Sequence, residues 1–257
     1  MFRPRTKPTS GTKLTTPQRK RAKTKKAKAK RAKPRRQIMN NMQTIDEERT
    51  EIFIRAYSKD FPEYLLMLEK EAKEQDVPII RKGTQELLRF LLRMKKPENI
   101  LEIGTAVGFS SLLMAEYVPD SAKITTIENY PPRIEAAKKN FDMYDKSDRI
   151  KLLEGDAGEI LKSLDTRFDF IFLDGPKGQY ESYIDDIIRL MKKDALLVTD
   201  NIFKEGDILE SRFALERRDR TIHSRMREFL IRLRDEESLE NVILSSGDGM
   251  TLSVKVK

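Results

Sequence analysis

The chain contains no cysteine, no tryptophan and a single histidine, His223. Without cysteine there are no disulfides, no thiolate nucleophile and no Cys-ligated zinc. One histidine excludes a multi-histidine metal centre and leaves a Ser-His-Asp hydrolase without support. A metal held by this chain must therefore be held by oxygen donors. No apolar run approaches the roughly 20 residues that a membrane-spanning helix needs. The basic N-terminus is not followed by an apolar stretch, so it does not read as a secretory signal, and the expected location is the cytoplasm.

What the chain has in excess is charge, unevenly placed. Of its 51 Lys and Arg, 16 fall in residues 1–40, where there is no acid; the other 217 residues carry 35 bases against 42 acids. The sequence thus reads as a basic arm, 1–40, followed by a mildly acidic folded domain, 41–257. The arm is rich in Lys, Arg, Ala, Thr and Pro and has almost nothing to bury. Such a segment cannot repay its ordering entropy and is expected to be disordered when free. It reads either as a counterion-releasing handle on nucleic acid or the ribosome, or as a solvated tail. It lacks the aromatic and leucine face of a membrane-surface helix.

Beyond Asp46 the pattern is helical, with Ile52, Ile54, Tyr57, Tyr64, Leu65 and Leu68 at three- and four-residue spacing. Pro62 is placed to open a second helix, and Pro97 to end a third over 84–94. Strands and helices then alternate: strands at 99–104, 123–128, 150–155, 168–174 and 195–201, and helices at 110–117, 132–144, 157–164, 180–191 and 221–234. The strands are nearly continuously apolar, as when helices cover both faces of a parallel sheet. The end differs. Residues 241–246 and 250–256 flank Gly247-Asp248-Gly249, a hairpin signal. The expected fold is α/β, a Rossmann-like parallel sheet closed by an antiparallel hairpin and preceded by N-terminal helices.

Three strand ends suggest a nucleoside site. The first strand empties into Gly104-Thr105-Ala106-Val107-Gly108, and Ser110 opens the next helix. The two glycines permit a tight turn and close backbone approach, but the loop is neither a dinucleotide fingerprint nor a P-loop. Glu128 ends the second strand some 20 residues later, where a carboxylate can accept both ribose hydroxyls; an ordinary strand-end acid is the plainer alternative. Gly155-Asp156-Ala157 ends the third strand and can either read an adenine edge or cap a helix. Glu102–Gly108, Glu128, Gly155-Asp156-Ala157 and the hairpin together resemble the class I S-adenosylmethionine-dependent methyltransferases. That resemblance implies a seven-stranded sheet with a reversed last strand. It makes Glu102, Gly104, Gly108, Ser110, Glu128, Asp156, Ala157 and Asp174 the expected cofactor contacts.

Two further strand ends bring a different chemistry. Asp174 closes the fourth strand, and Asp200-Asn201 the fifth. Neighbouring parallel strands end side by side, so two carboxylates and one amide oxygen can meet, a hard set suited to Mg²⁺, Mn²⁺ or Ca²⁺. Helix capping is the competing reading. A divalent ion would acidify a chelating hydroxyl for methylation. Lys177, its pKa lowered by nearby cations, would serve as general base, or else be a surface lysine. Asp174-x-x-Lys177 with Asp200-Asn201 resembles the cation-dependent O-methyltransferases of the catechol and caffeoyl-CoA group. Within that group, Val77-Pro78-Ile79-Ile80, Lys177-Gly178-Gln179-Tyr180, Asp200-Asn201-Ile202-Phe203-Lys204 and Gly247-Asp248-Gly249 look like the bacterial tRNA 5-hydroxyuridine methyltransferases. This branch implies Mg²⁺, a homodimer, and formation of 5-methoxyuridine at the anticodon wobble position. Gly175-Pro176 departs from the two small residues expected there.

An RNA substrate needs positive potential around the pocket. Arg212, Arg217, Arg218, Arg220, Arg225 and Arg227 crowd the segment after the fifth strand, with Arg217, Arg218 and Arg220 the expected phosphate contacts. Interleaved Glu210, Glu216 and Asp219 allow a plain solvated face instead. His223 reads as a polar helix residue rather than a catalyst, and Tyr57, Phe61 and Tyr64 as core or dimer packing. The competing functions are a small-molecule catechol or phenol O-methyltransferase and a non-catalytic RNA-binding protein on the same fold. Deleting residues 1–40 is expected to weaken RNA binding and flatten its dependence on salt in a titration across salt concentrations; an unchanged slope would remove the arm from RNA binding.

Overall fold

The computed structural model describes residues 47–144 and 146–257; the basic arm lies outside the described residues. Residues Glu51–Lys257 form one compact unit. Among the described residues three helices come first: α1 (Glu47–Tyr57), α2 (Glu63–Glu74) and α3 (Lys82–Lys95). Pro62 takes the N-cap position of α2, as its fixed φ favours. Helix α3 ends at Lys96, which turns left-handed with φ 48° just before Pro97.

The alternating part follows as β1 (Asn99–Ile103), α4 (Phe109–Tyr117), β2 (Lys123–Glu128), α5 (Pro131–Met143), β3 (Ile150–Glu154), α6 (Ala157–Ser163), β4 (Phe168–Leu173), α7 (Tyr180–Leu190), β5 (Met191–Thr199) and α8 (Arg220–Asp235). It closes with β6 (Leu239–Leu244) and β7 (Met250–Lys255). The seven strands are ordered β3-β2-β1-β4-β5-β7-β6. Pairs among β1 to β5 are parallel, and β7 runs antiparallel to both β5 and β6. The reversed strand and hairpin expected from the sequence are both present.

Strand alternation sorts the core into two layers. Ile100, Phe170, Phe172 and Val198 face one layer, with Leu65, Leu88 and Leu112 of the helices. Leu101, Ile103, Ile171, Leu173 and Leu197 face the other, with Ile187, Met226 and Phe229. Covering both faces is what lets these strands carry apolar side chains in both directions.

Two expectations need correction. Strand β5 starts four residues earlier than its apolar run, at Met191. Its pairing with β4 is irregular between Phe168 and Phe170, and Asp194 has φ 61°, so Lys192-Lys193-Asp194 masked its beginning. It also stops at Thr199, leaving Asp200 and Asn201 beyond the strand. In α1 the apolar spacing does not give burial: Ile52, Phe53 and Tyr57 are 62%, 64% and 80% exposed. Phe61 is buried, and the half-buried Tyr64 donates its hydroxyl to Glu116 at 2.9 Å.

Glu102 is the one acid inside β1. It shares the face of Ile100 and is fully buried. Its Oε2 accepts from Thr126 Oγ1 at 2.6 Å and from Ser111 Oγ, while Oε1 has no partner. Burial pushes its pKa from the ordinary 4.5 up to about 7, against the pull of the Ser110, Ser111 and Thr126 hydroxyls. The folded chain therefore keeps a proton that the unfolded chain releases. The group leaves stability untouched in acid and costs about 1.4 kcal/mol per pH unit as pH rises between these two values. Glu102→Gln is expected to gain stability relative to the parent as pH rises from about 5 to about 7.5 in urea unfolding. A difference that does not change with pH would show that Glu102 is ionised in the folded chain.

Candidate active site

The carboxyl ends of the central strands form one row. Gly155 N donates to Glu128 O, Gly104 N to Ile127 O, Asp174 N to Ile103 O and Asp200 N to Leu173 O, at 2.9–3.1 Å. These bonds extend the parallel ladder one step past the strands. They set the first residue after each of β1, β3, β4 and β5 in line with Glu128, the last residue of β2. The strand order reverses between β1 and β4, the place where open α/β sheets bind ligands. A cavity of about 760 Å³ opens there, lined by residues from every one of these strand ends except that of β5, where Asn201 takes the place of the buried Asp200.

Of the residues expected to contact a cofactor, Gly104, Ser110, Glu128, Ala157 and Asp174 line the cavity. Gly104 has φ 107°, and a Cβ on it would run into the Asp174 carbonyl, so only glycine fits between the two strand ends. Glu128 Oε2 accepts from Ala106 N at 2.9 Å, and Oε1 from Asn129 N and Tyr130 N at 3.0 Å each. The carboxylate is thereby fixed at the cavity wall with one lone-pair site still open, on Oε2.

Three expected contacts have other roles. Glu102 lies beneath the loop, away from the cavity wall. Gly108 caps α4 with φ 84° and lets the Phe141 ring close against it. Asp156 caps α6, accepting from Glu159 N at 3.1 Å, while its neighbours Gly155 and Ala157 face the cavity. A strand-end motif locates a turn, but not which of its side chains points outward.

The other half of the cavity is organised around the ammonium of Lys177. Its Nζ donates to Asp174 Oδ1 at 2.7 Å, to Tyr180 OH at 2.9 Å and to Asn201 Oδ1 at 3.5 Å. The two expected ligand residues on either side thus share one atom. Asp200 lies behind them, fully buried. Its Oδ1 accepts from Asn201 N at 2.8 Å and from Thr84 Oγ1 at 3.2 Å, and its Oδ2 has no partner. Burial and the Asp174 charge push Asp200 from 3.8 up to about 7. A buried carboxylate oxygen left unpaired beside a second carboxylate is a costly arrangement, and a cation would relieve it. Among the described residues no three His, Asp or Glu cluster as a metal site; two carboxylates and an amide oxygen, with solvent or substrate filling the remaining positions, would suit a hard divalent ion.

The sequence expectation of a lowered Lys177 pKa is not met by the chain alone. Burial disfavours the charge, but Tyr180 and Asp174 outweigh it and hold the ammonium above its ordinary range. Tyr180, fully buried and pushed upward by that burial, serves as a neutral acceptor.

The arginine segment divides. Arg220 Nε donates to Leu215 O, Arg225 Nη1 to Gly178 O, and Arg227 to Ile208 O and Glu210 O; these three hold loops. Arg218 lines the cavity and pairs with Glu216 and Asp219. Arg212 and Arg217 are exposed. His223 is buried, with Nε2 at 3.1 Å from Glu210 O, and takes no part in the cavity. The sequence reading missed Thr84, Tyr180 and Asp248 as members of the site. Of these only Tyr180 had a local signal, its place one turn after Lys177.

Gly104→Ala is expected to destabilise the chain by ~2 kcal/mol or more, since φ and the Asp174 carbonyl both oppose a Cβ. Gly206→Ala meets only open space at φ 88° and should cost only ~1 kcal/mol. Urea unfolding of the two variants checks the order, and equal losses would refute the close approach.

Comparison with known proteins agrees with this geometry. A family model described as O-methyltransferase matches residues 27–256. The chain is similar to a catechol O-methyltransferase of Niastella koreensis, 30% identical over 152 residues, 57% of this chain and 69% of that protein. It is also similar to a catechol O-methyltransferase of Mycobacterium tuberculosis, 34% identical over 112 residues, 43% of this chain and about half (51%) of that one. Among solved structures, SAH-bound methyltransferase PaMTH1 of Podospora anserina superposes with a TM-score of 0.76 at 27% identity, covering 84% of this chain and 97% of that chain. With its seven-stranded sheet, strand-end cavity and a family match across most of its length, this chain belongs to the O-methyltransferase family.

Proposed function

We propose that the chain transfers a methyl group from S-adenosylmethionine to a hydroxyl that has a second oxygen beside it, with a divalent cation, Mg²⁺ first, held by Asp174, Asp200 and Asn201. The observation that carries this reading is the meeting of Asp174 Oδ1 and Asn201 Oδ1 at Lys177 Nζ, beside the buried Asp200, whose Oδ2 is unpaired. The SAH-bound relative supports the choice of methyl donor.

S-adenosylmethionine supplies an electrophilic methyl, and the cation acidifies and aligns a chelating hydroxyl. The chain's part is placement. Glu128 holds the ribose hydroxyls, and Gly104 lets the donor approach the β1–β4 crevice. Lys177 is fixed by Tyr180 and Asp174 over the reacting oxygen. A divalent ion among the same donors would repel the ammonium and lower its pKa, so that Lys177 would release its own proton to solvent and, as a neutral amine, take the hydroxyl proton. The carbon–sulfur bond breaks with its electron pair going to sulfur, which becomes neutral, and the new carbon–oxygen bond forms from the oxygen's pair.

For substrate we propose 5-hydroxyuridine at the wobble position of a tRNA anticodon, giving 5-methoxyuridine. Its 5-hydroxyl and 4-carbonyl are vicinal oxygens and chelate as a catechol does. Arg218 at the cavity wall and exposed Arg217 are suited to phosphates; Arg220 is turned inward. A catechol-type phenol is the second reading, favoured by the names of the two bacterial relatives.

Labelled methyl transfer to bulk tRNA and to a catechol, each with and without chelator, separates the two readings; transfer to catechol alone would eliminate RNA. Nucleoside mass spectrometry of tRNA from a deletion strain is expected to show 5-hydroxyuridine accumulating as 5-methoxyuridine disappears. Asp200→Ala is expected to lower turnover by about 100-fold or more while SAH affinity by calorimetry stays within about twofold; full activity would refute the cation assignment.

A further inference from the structure

The segment that follows β5 has an unusual backbone. Four of the six residues from Asn201 to Gly206 are left-handed: Asn201 at φ 56°, Lys204 at 48°, Glu205 at 56° and Gly206 at 88°. Asparagine and glycine tolerate this region, but Lys204 and Glu205 are strained there. Such a run persists only where its surroundings over-determine it.

Those surroundings come largely from the turn between β6 and β7. Ile202 N donates to Gly249 O at 3.0 Å and Phe203 N to Asp248 O at 2.8 Å. Glu205 N donates to both carboxylate oxygens of Asp248, at 2.8 and 2.9 Å. The Phe203 ring lies against Gly249, where any Cβ would collide. On its other side the same turn meets α3: a Cβ on Gly247 would lie 3.1 Å from Thr84 Oγ1, the hydroxyl that donates to Asp200 Oδ1. The turn therefore braces the Asp200-Asn201 pair from both sides, and Asp248, 8% exposed, stands in the cavity wall.

We propose that Asp248 is a positioning residue of the active site: its carboxylate fixes the left-handed turn at 204–206 and so aims the donor oxygens of Asn201 and Asp200 at one cation. This rests on the cation reading above. A carboxylate suits the role because both oxygens accept. An amide in its place presents one donor to the Glu205 N–H and loses part of the bond. Its effect is felt in the placing of Asn201 and Asp200 rather than at the ribose end of the cavity, which Glu128 holds through separate backbone bonds.

The test compares the full chain with Asp248→Asn in Mn²⁺ binding, SAH binding and hydrogen exchange over 201–208. The variant is expected to lose about tenfold or more in Mn²⁺ affinity and to exchange faster over 201–208, with SAH affinity within about twofold. Adding Glu205→Gly, which removes a left-handed side chain, should recover part of the Mn²⁺ affinity, a rescue that general destabilisation would not give. Unchanged Mn²⁺ affinity and exchange would overturn the proposal, as would SAH affinity falling in step with Mn²⁺. If Asp248→Asn does not fold, Asp248→Glu, which keeps the charge but moves it by one methylene, is read the same way. A parent chain that binds no Mn²⁺ would remove the cation reading, and exchange alone then decides whether Asp248 holds the turn.

Discussion

Everything in the site depends on the meeting of opposite charges at the ends of β4 and β5. Asp174 and Asp200 are adjacent because their strands are adjacent, in parallel and in register at Leu173 and Thr199. Two acids brought together by topology repel unless something positive lies between or beside them. In the chain alone that is the Lys177 ammonium. It satisfies Asp174 and reaches Asn201 but leaves one oxygen of Asp200 unpaired. Partial satisfaction of this kind is what a site for an exchangeable cation requires, since a fully paired cluster would have nothing to gain from binding one.

The sheet was legible because parallel strands buried on both faces leave continuous apolar runs, and because Asp-Gly marks the hairpin. The site acids were legible for the same reason: each lies where an apolar run stops. What could not be read was direction. Glu102 stands between Leu101 and Ile103, and strict alternation puts it in the layer of Ile100 and Phe170, inside the core rather than at the ligand. Asp156 turned to its own helix. Arg220, Arg225 and Arg227 turned to carbonyls on other loops. A residue's place in sequence fixes its element, but only the packing of that element fixes where a long side chain ends.

The missed residues share a different cause. Thr84 meets Asp200 across 116 positions of sequence, and Asp248 meets Glu205 across 43. Contacts of such range leave no local periodicity or spacing. The turn at 247–249 reads as a hairpin and, with Asp200–Lys204, as a family motif, but nothing in either stretch says that the one supports the other. The left-handed run there, tolerated at Asn201 and forced at Lys204 and Glu205, has no signal in residue type except at Asn201 and Gly206.

The placement of β7 has a consequence for the order of assembly. It is the last strand in sequence, yet it sits between β5 and β6, and the bend leading into it supports the segment beyond β5. During synthesis β5 must wait with one edge open until residues 248–255 leave the ribosome. Pairings of this range are slow to close and expose a sticky edge meanwhile. A nascent chain therefore builds the β1–β3 end of the strand-end row first, while the Asp174–Asp200 end lacks its brace until the final strand slides into its slot.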